Sequence, residues 1–454
     1  MTALATVPQS PDPKPEFPTA HPRGLYVLAL TEFGERGGYY GMLALLPLYL
    51  TEVLRMGEGD AGNLTGTYTA SVFLAALPGG FLADKKLGTL RAAALGMAIM
   101  VVGHLAMALG TLNALYAAFA LIAAGNGLFK PSMASRVSRL YAADDPRREA
   151  AFYIFYLGVN LGAFAVPLLM MFVRSRWGFH AAFGVAGGIL ALSLAQFWLQ
   201  RHHLNERNLV ARLIEKHEQF SRRVTIRRFV AVILMSSVLM AFWIGFNQQF
   251  GTLEFWTKSD VNRHGIPPEA FSSVNPLYIL LLTVPVTRLC ARLRLSVPVR
   301  MVLGMLWAAV GFGVLVLACV LQGKDKANMG WLIGAYFAIT VGELFVSPMS
   351  LSLVTKIAPP RLLSTVVGLY YLFTAGGSKL AGRLGKAYWE EVPHSHFFGG
   401  VVLIALVAAG VMACFSGYLR RVIKEAMEHE LRQKEEALRS QEQVSVQAEP
   451  ALAA

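Results

Sequence analysis

Apolar segments recur along the whole 454-residue chain, and they limit the folds open to it more than any other feature. About 20 apolar residues are needed for one helical crossing of a bilayer. Lipid offers no hydrogen bonds, so a spanning segment must satisfy its own backbone as a helix. Charged residues make up 15% of the chain and hydrophobic ones 55%, whereas soluble proteins carry about 25% charged residues. The sequence therefore predicts an all-α polytopic membrane protein. Its twelve predicted segments are 24–51, 62–84, 89–110, 113–137, 149–172, 179–200, 229–256, 270–293, 298–322, 330–356, 362–385 and 396–420.

Basic residues concentrate in alternate loops, which predicts the orientation in the membrane. The net charge is +13, which in a soluble protein could indicate nucleic-acid binding. Here topology explains it, because cytoplasmic loops attract Lys and Arg. Loops after even-numbered segments hold roughly twenty basic residues and the opposite loops roughly eight, so both termini are predicted to be cytoplasmic. The richer set includes Lys85, Lys86, Arg91, Arg136, Arg139, Arg147, Arg148, Arg292, Arg294, Lys356 and Arg361; the poorer set is Arg55, Arg174, Arg176, Lys258, Arg263, Lys324 and Lys326.

The longest internal loop divides the chain into two halves of six segments. The predicted organisation is a disordered cytoplasmic tail (1–23), an N-terminal six-helix bundle (24–200), a basic cytoplasmic linker (201–228), a C-terminal six-helix bundle (229–420) and a cytoplasmic tail (421–454). The first tail lacks the apolar core of a signal peptide. A short amphipathic helix on the membrane surface and a solvated linker both fit 201–228, where Leu209, Leu213 and Phe220 are spaced for one apolar face. This plan resembles the major facilitator superfamily, and Gly80-Phe81-Leu82-Ala83-Asp84-Lys85-Lys86-Leu87-Gly88 resembles its inner-loop signature.

Three ionisable residues lie inside the first predicted helix. Glu32, Glu35 and Arg36 are spaced i, i+3 and i+4, so they share one helical face. A charge at bilayer depth costs at least about 2.5 kcal/mol, and such residues usually pair, face a cavity and serve function. We expect this face to line a polar cavity.

Lys130 and Glu343 are the other ionisable residues weighed inside predicted spans. A lysine near a helix end also fits simple snorkelling to the interface. Glu343 is too deep to snorkel, so a functional site or a structural ion pair must explain it. Strongly polar amides in the spans are Asn160, Asn247, Gln248, Gln249 and Asn275. The glycines of Gly125-Asn126-Gly127 lie within an apolar helix with no preceding strand, which indicates close helix packing and not a phosphate loop.

The distribution of charge suits a zwitterionic substrate. Arg36 and Lys130 give the N-terminal half a cationic side, and Glu343 gives the C-terminal half an acid. A peptide's carboxylate would bind the first and its ammonium group the second. The aromatic residues Tyr39, Tyr40, Tyr68 and Trp243 can form amphipathic walls that accept varied side chains.

At these residues the sequence resembles the proton-dependent oligopeptide transporter family, a branch of the major facilitator superfamily. Six motifs occur in the family's order: Glu32-x-x-Glu35-Arg36 with Tyr39-Tyr40-Gly41-Met42, Gly125-Asn126-Gly127-Leu128-Phe129-Lys130-Pro131, Phe152-Tyr153 through Asn160-Leu161-Gly162, Phe242-Trp243 with Gln248, Asn275-Pro276-Leu277-Tyr278-Ile279 with Pro285, and Gly342-Glu343-Leu344 with Ser347-Pro348.

The resemblance implies symport of di- and tripeptides with protons by alternating access. In that picture Glu32 and Glu35 pair with Arg36 and Lys130, and protonation of a glutamate frees a cation for the peptide carboxylate. The family implies that Asn160, Asn275 and Glu343 hold the peptide backbone and amino end. Tyr39, Tyr40, Tyr68, Lys130, Trp243 and Ser347 complete the predicted binding set. The expected partners are a small peptide, protons and the lipid bilayer, with the protein as a monomer, no nucleic acid, no cofactor and no metal.

Several positions depart from the family pattern. Members commonly carry an outer-gate ion pair where this chain has Leu43 and Asn247, so its gate is predicted to close by packing or neutral hydrogen bonds. Gly37 replaces an aromatic residue. Lys379 replaces an uncharged one and fits snorkelling. The 201–228 linker is too short for the two extra helices of many bacterial members, so twelve spans are predicted.

Two other functions fit the same sequence. The fold could carry nitrate, an amino-acid derivative or another organic anion, although Glu343 suits a simple anion poorly. A non-transporting membrane sensor is the other. An enzyme is not predicted, because no nucleophile–base pair or metal cluster stands out. Cys290, Cys319 and Cys414 lie in or beside different spans, with neither disulfide nor metal-ligand spacing.

Overall fold

Long helices follow the apolar segments from one end of the chain to the other. The computed structural model describes residues 20–141, 147–204, 222–293, 295–323, 325–357 and 363–452. The helices are α1 (Arg23–Glu52), α2 (Glu58–Leu74), α3 (Ala76–Leu82), α4 (Thr89–Met107), α5 (Leu112–Arg139), α6 (147–177), α7 (179–199), α8 (Arg222–Phe246), α9 (Thr252–Ser259), α10 (Val274–Arg292), α11 (Val297–Gln322), α12 (Met329–Ile357), α13 (Leu363–Tyr388) and α14 (His394–Leu452).

These helices overlap all twelve predicted segments. Nine stretches of the described residues are long and apolar enough to cross a membrane, and one of them, Ile154–Leu199, holds both α6 and α7. Gly178 separates these two helices with φ 83°, a left-handed conformation that glycine adopts without strain. Neither α1 nor α13 belongs to the nine. Both contain charged residues, and α1 carries Glu32, Glu35 and Arg36.

The seventh predicted segment is broken, which the sequence did not predict. After α8 the chain forms a 3₁₀ turn (Asn247–Phe250), passes through Gly251 and resumes as α9. Discontinuous helices are typical of transporter sites, because the break frees backbone groups inside the protein. Asn247 therefore begins an irregular segment.

The helices of each half pack mainly against one another, and the two halves meet along two seams. In the first half, α1 packs along α6 and α7, and α4 packs against α5. In the second, α11 contacts α12 and α14, and α13 contacts α8. The halves meet where α2 lies along α13 and where α6 contacts α10. The residues that bridge them are the candidates for a shared site.

The connections are short. The loop signature after the second segment forms a π-helical turn (Ala83–Leu87) that ends at Gly88, and a 3₁₀ turn covers Arg201–Leu204. Two-residue strands β1 (Val261–Asn262) and β2 (Ala327–Asn328) pair in parallel. The predicted amphipathic positions Leu209, Leu213 and Phe220, and nearly all of the tail 1–23, lie outside the described residues. Within the predicted second tail, α14 runs on as one helix to Leu452.

Close backbone contact between α4 and α5 depends on reciprocal glycines. A methyl group at Gly125 would clash with the carbonyl oxygen of Gly96, and one at Gly96 would clash with that of Gly125. Small residues allow helices to approach this closely in membranes. The glycine motif of α5 thus serves packing, as the sequence indicates.

We expect Gly125→Ala to destabilise the protein by about 1–3 kcal/mol, the usual cost of an overpacked interior. Thermal unfolding in detergent would measure the change. Gly188→Ala on α7 is the matched control, because a methyl group there meets no atom within 4 Å. Equal unfolding temperatures for the two variants would contradict this account of the α4–α5 seam.

Candidate functional site

A buried ion cluster forms at the middle of α1. Arg36 donates from Nε and Nη2 to the two carboxylate oxygens of Glu35, a bidentate pair. Glu32 Oε2 lies 3.8 Å from Arg36 Nε, one turn away. All three side chains are buried. The predicted shared face is therefore present, and Glu35 is the principal partner of Arg36.

Asn126 completes this cluster and was missing from the predicted site residues. Its Nδ2 donates to Glu35 Oε1 at 2.7 Å, and the residue is fully buried on α5. A charge-assisted bond of this kind fixes the carboxylate against Arg36. The sequence offered one signal for this role, a polar Asn126 between two packing glycines. Local spacing could not predict its partner, Glu35, which is far away in sequence.

Lys130 is near the glutamates with which it was predicted to pair, but its ammonium group contacts aromatic rings. Its Nζ sits over the rings of Phe73 and Tyr371, at 4.2 and 4.7 Å from their centroids. Within the described part of the chain, it forms no ion pair with Glu32 or Glu35. Phe73 belongs to α2 and Tyr371 to α13, so this cation lies at the seam between the halves.

A second polar group lies in the C-terminal half. Asn275 on α10 donates from Nδ2 to Glu343 Oε2 and to Thr340 Oγ1, both at 2.9 Å. Thr340 in turn donates to the carbonyl oxygen of Tyr336 at 2.7 Å. Each of these side chains is buried. The chain of bonds holds the Asn275 amide against Glu343, so the predicted acid and amide do come together.

Tyrosines connect the two groups. Tyr40 and Tyr156 of the N-terminal half lie within electrostatic range of Glu343 in the other half. Arg36 also acts on Tyr40. Asn160 is buried one turn beyond Tyr156 and donates to its carbonyl oxygen at 2.9 Å. Tyr40 therefore lies within electrostatic range of both Arg36 and Glu343.

The other predicted binding residues differ in how open they are. Tyr39 and Tyr68 are only 3% and 1% exposed, and their rings pack near one another with Phe119 behind Tyr68. Trp243 is half-buried against Phe242, and Ser347 is half-buried on α12. In this conformation Tyr39 and Tyr68 offer a substrate little surface.

The predicted gate residues make only neutral contacts. Leu43 is buried in the apolar core. Asn247 donates to the carbonyl oxygen of Trp243 at 2.7 Å and borders a small cavity between α2, the 3₁₀ turn Asn247–Phe250 and α13. This much agrees with a gate that lacks the usual ion pair.

Ion pairs nevertheless join the two halves at the end of the helices beyond these residues. The prediction that the gate closes by neutral contacts alone is therefore corrected. Following the predicted orientation, we call this end, at which α1, α6 and α9 terminate, the outer face. Arg174 of α6 donates to Glu269 and to Glu52 Oε2, the latter at 2.7 Å. Lys258 of α9 donates to Glu52 Oε1 at 2.9 Å. The ion pair predicted to be lost is replaced by a network at other positions.

Lys379 is also part of the seam. Its Nζ donates to Asn63 Oδ1 at 3.1 Å and to Thr67, both on α2. The prediction that it snorkels is wrong, because its ammonium group bonds across the two halves. Lys386–Asp60 (2.7 Å) and Trp389 Nε1–Glu58 (3.0 Å) extend the same seam outward.

Comparisons with known proteins agree with the overall fold. The Major Facilitator Superfamily model matches residues 28–382. The Dipeptide and tripeptide permease A of Erwinia pyrifoliae is 27% identical over 86% of this chain and 92% of its own. A crystal structure of peptide transporter POT in complex with alafosfalin superposes with a TM-score of 0.78, at 28% identity, over 92% of this chain and 97% of its own.

The chain belongs to the proton-dependent oligopeptide transporter family of the major facilitator superfamily. The fold is thus an all-α polytopic membrane fold of this superfamily. The uncharacterized transporter YclF of Bacillus subtilis is also similar, with 28% identity over 89% of this chain and 95% of its own. Among the described residues, no cluster of three or more His, Cys, Asp or Glu side chains could hold a metal ion.

Proposed function

We propose that this protein imports di- and tripeptides together with protons by alternating access. The observation that carries the proposal is the pair of buried polar groups on opposite halves, Glu35–Arg36 and Glu343–Asn275, with Tyr40 within electrostatic range of both. A peptide backbone with charged ends matches two such groups of opposite character. A relative named for dipeptides and tripeptides supports the same substrate class.

Charge balance gives the proton a role. Among the described residues, this region holds Glu32, Glu35 and Glu343 against Arg36 and Lys130, a surplus of one negative charge. A zwitterionic peptide adds no net charge, so one proton neutralises the loaded site. Buried charge is costly unless it is balanced, and the neutral assembly can therefore form most readily with a proton bound.

The proton acts through the bidentate pair. While Glu35 is ionised, it occupies the planar N–H fork of Arg36. A proton on Glu35 removes that partner's charge and releases the fork for the peptide carboxylate, which it fits bidentately. Lys130, already held at the seam by aromatic rings, offers the second cation. The ammonium end then meets Glu343.

Uptake into proteoliposomes tests the proposal. We expect an inward proton gradient to drive dipeptide accumulation, and a protonophore to abolish it. Equal uptake after the proton gradient is collapsed would contradict proton coupling. Gradient-driven uptake of nitrate or another organic anion, with none of dipeptides, would favour that solute instead. A ligand that binds only the folded state must stabilise it. If no candidate substrate shifts the thermal stability of the protein, the non-transporting sensor is favoured over a transporter.

The remaining assignments follow from the same proposal. The protein would lie in a bacterial inner membrane as a monomer, with both termini cytoplasmic and lipid around the bundles. It would transport its substrate without chemical change.

We expect Thr340→Val to raise the KM for dipeptide about fivefold, because one hydrogen bond is worth about 1 kcal/mol. Valine keeps the shape of the side chain but loses the hydroxyl that holds the Asn275 amide. Thr340→Ser is the matched control and keeps the bond. If Val and Ser both transport like the wild type, Thr340 does not position Asn275.

A further inference from the structure

The network on the outer face holds more acid than base. Its acids are Glu52 on α1, Glu254 on α9 and Glu269 in the 3₁₀ turn Pro268–Ser273; its bases are Arg174 and Lys258. Arg174 is shared by Glu52 and Glu269, and Lys258 contacts Glu52. Glu254 therefore lies among these charges without a cation of its own in the described part of the chain.

Two carboxylate oxygens in this network are buried without a hydrogen bond. Glu254 is 6% exposed and Glu269 2% exposed. Glu254 Oε1 and Glu269 Oε2 are inaccessible and have no hydrogen-bond partner among the described residues. An unpaired buried charge is expensive, and adjacent carboxyl groups avoid the cost by holding a proton. The remaining titratable neighbour is the hydroxyl of Tyr336 on α12, which lies near Glu254.

We propose that Glu254 and Glu269 form a proton-binding site on the outer face, and that a proton bound there loosens the contact between the two halves. This inference rests on the proposed function, because outward opening has a purpose only in alternating access. The site is separate from the Glu35–Arg36 cluster, which lies at mid-helix on α1.

The connection between proton and opening is the Arg174–Glu269 pair. Arg174 belongs to the N-terminal half and Glu269 to the C-terminal half, so their bond holds the outer face closed. Hydrogen bonds between ionised partners are roughly twice as strong as neutral ones. A proton that neutralises Glu269 weakens this pair, and among the described residues of the network Glu52–Lys258 is then the ion pair that still joins the two halves.

Spin-label distances across the outer face test the inference without any peptide. The labels are placed by Val53→Cys and Lys326→Cys, both at exposed positions, in a background with Ser at positions 290, 319 and 414. The distance distributions are compared between about pH 7.5 and about pH 5.5. We expect the population with the longer distance to grow as the pH falls.

Two variants and one control assign that response. Glu254→Gln and Glu269→Gln each remove the ionisable carboxyl, so we expect the distance distribution to lose its pH dependence. Glu391→Gln, at an exposed acid on the same face, should respond like the wild type. A wild-type protein with no pH response overturns the inference, as does an unchanged response in both variants. If one variant does not fold, the other and the wild-type response decide.

The outcome is separable from that of the uptake assay. If dipeptide uptake fails while the pH response depends on Glu254 and Glu269, the proposed substrate is wrong and the proton site stands. If uptake is gradient-driven and the distances ignore pH, the proton site is wrong and peptide transport stands.

Discussion

Glu343→Gln should raise the KM for an ordinary dipeptide at least about 30-fold, because losing one partner of a buried charge pair costs about 2–5 kcal/mol. The substituted amide still accepts the bond from Asn275, so the fold around α10 and α12 is retained. What is lost is the negative charge that faces the peptide's ammonium group. Concentration-dependent uptake of a labelled dipeptide measures the change.

An N-acetylated dipeptide provides the matched control for Glu343. It has no ammonium group, so the wild type should already bind it weakly, and Glu343→Gln should weaken it little further. The two changes form a cycle in which a direct contact appears as non-additivity. Equal losses for both peptides would contradict the ammonium assignment. Untouched transport of the native substrate by Glu343→Ala would favour an anion as cargo.

The helices were predictable because the membrane imposes a single rule on every span. Each apolar run must satisfy its backbone within itself, so a helix overlaps each of the twelve predicted segments. The break at 247–251 was not predictable, because apolar character continues through Phe246, Phe250 and Leu253. The sequence showed Asn247, Gln248 and Gln249 as polar residues within a span. That a helix ends at these amides depends on tertiary packing.

From the residues alone, the candidate site was predictable only where partners are close in sequence; the resemblance implied the roles of Asn275 and Glu343, which are 68 residues apart. Glu32, Glu35 and Arg36 lie within two turns of one helix, so their spacing reveals the cluster. Asn126 joins it from 91 residues away. The resemblance implied that Lys130 pairs with the glutamates, but the structure places its ammonium group over two aromatic rings, a partner type that charge pairing does not suggest.

The outer face shows the same limit more strongly. Arg174 and Glu269 are 95 residues apart, and Glu52 and Lys258 are 206 apart. Each lies near the end of a helix or in a turn, where a charged residue is ordinarily solvated and its presence does not predict a partner. The absence of a charge at Leu43 was visible in the sequence. The compensating network could not be predicted, because its partners meet only in the folded protein.

Glu35→Gln should abolish gradient-driven accumulation while sparing exchange of peptide between the two sides. Glutamine cannot release a proton, so uptake with the gradient should fall to the level without it. Exchange needs only the loaded carrier to reorient, and the neutral side chain resembles protonated Glu35, which leaves the Arg36 fork free for the peptide carboxylate. Counterflow and gradient-driven uptake, measured on the same proteoliposomes, separate the two activities.

Glu32→Gln is the comparison that assigns the proton to one carboxylate. Glu32 lies 3.8 Å from Arg36 Nε, whereas Glu35 makes the bidentate contact and also accepts from Asn126. Removing the charge of Glu32 should leave that contact in place, so coupling should survive in weakened form. Uncoupling by Glu32→Gln alone would move the proton to Glu32. Loss of exchange together with uptake in folded Glu35→Gln would instead make Glu35 structural, because a side chain fixed in its protonated form should favour the loaded carrier and not prevent it.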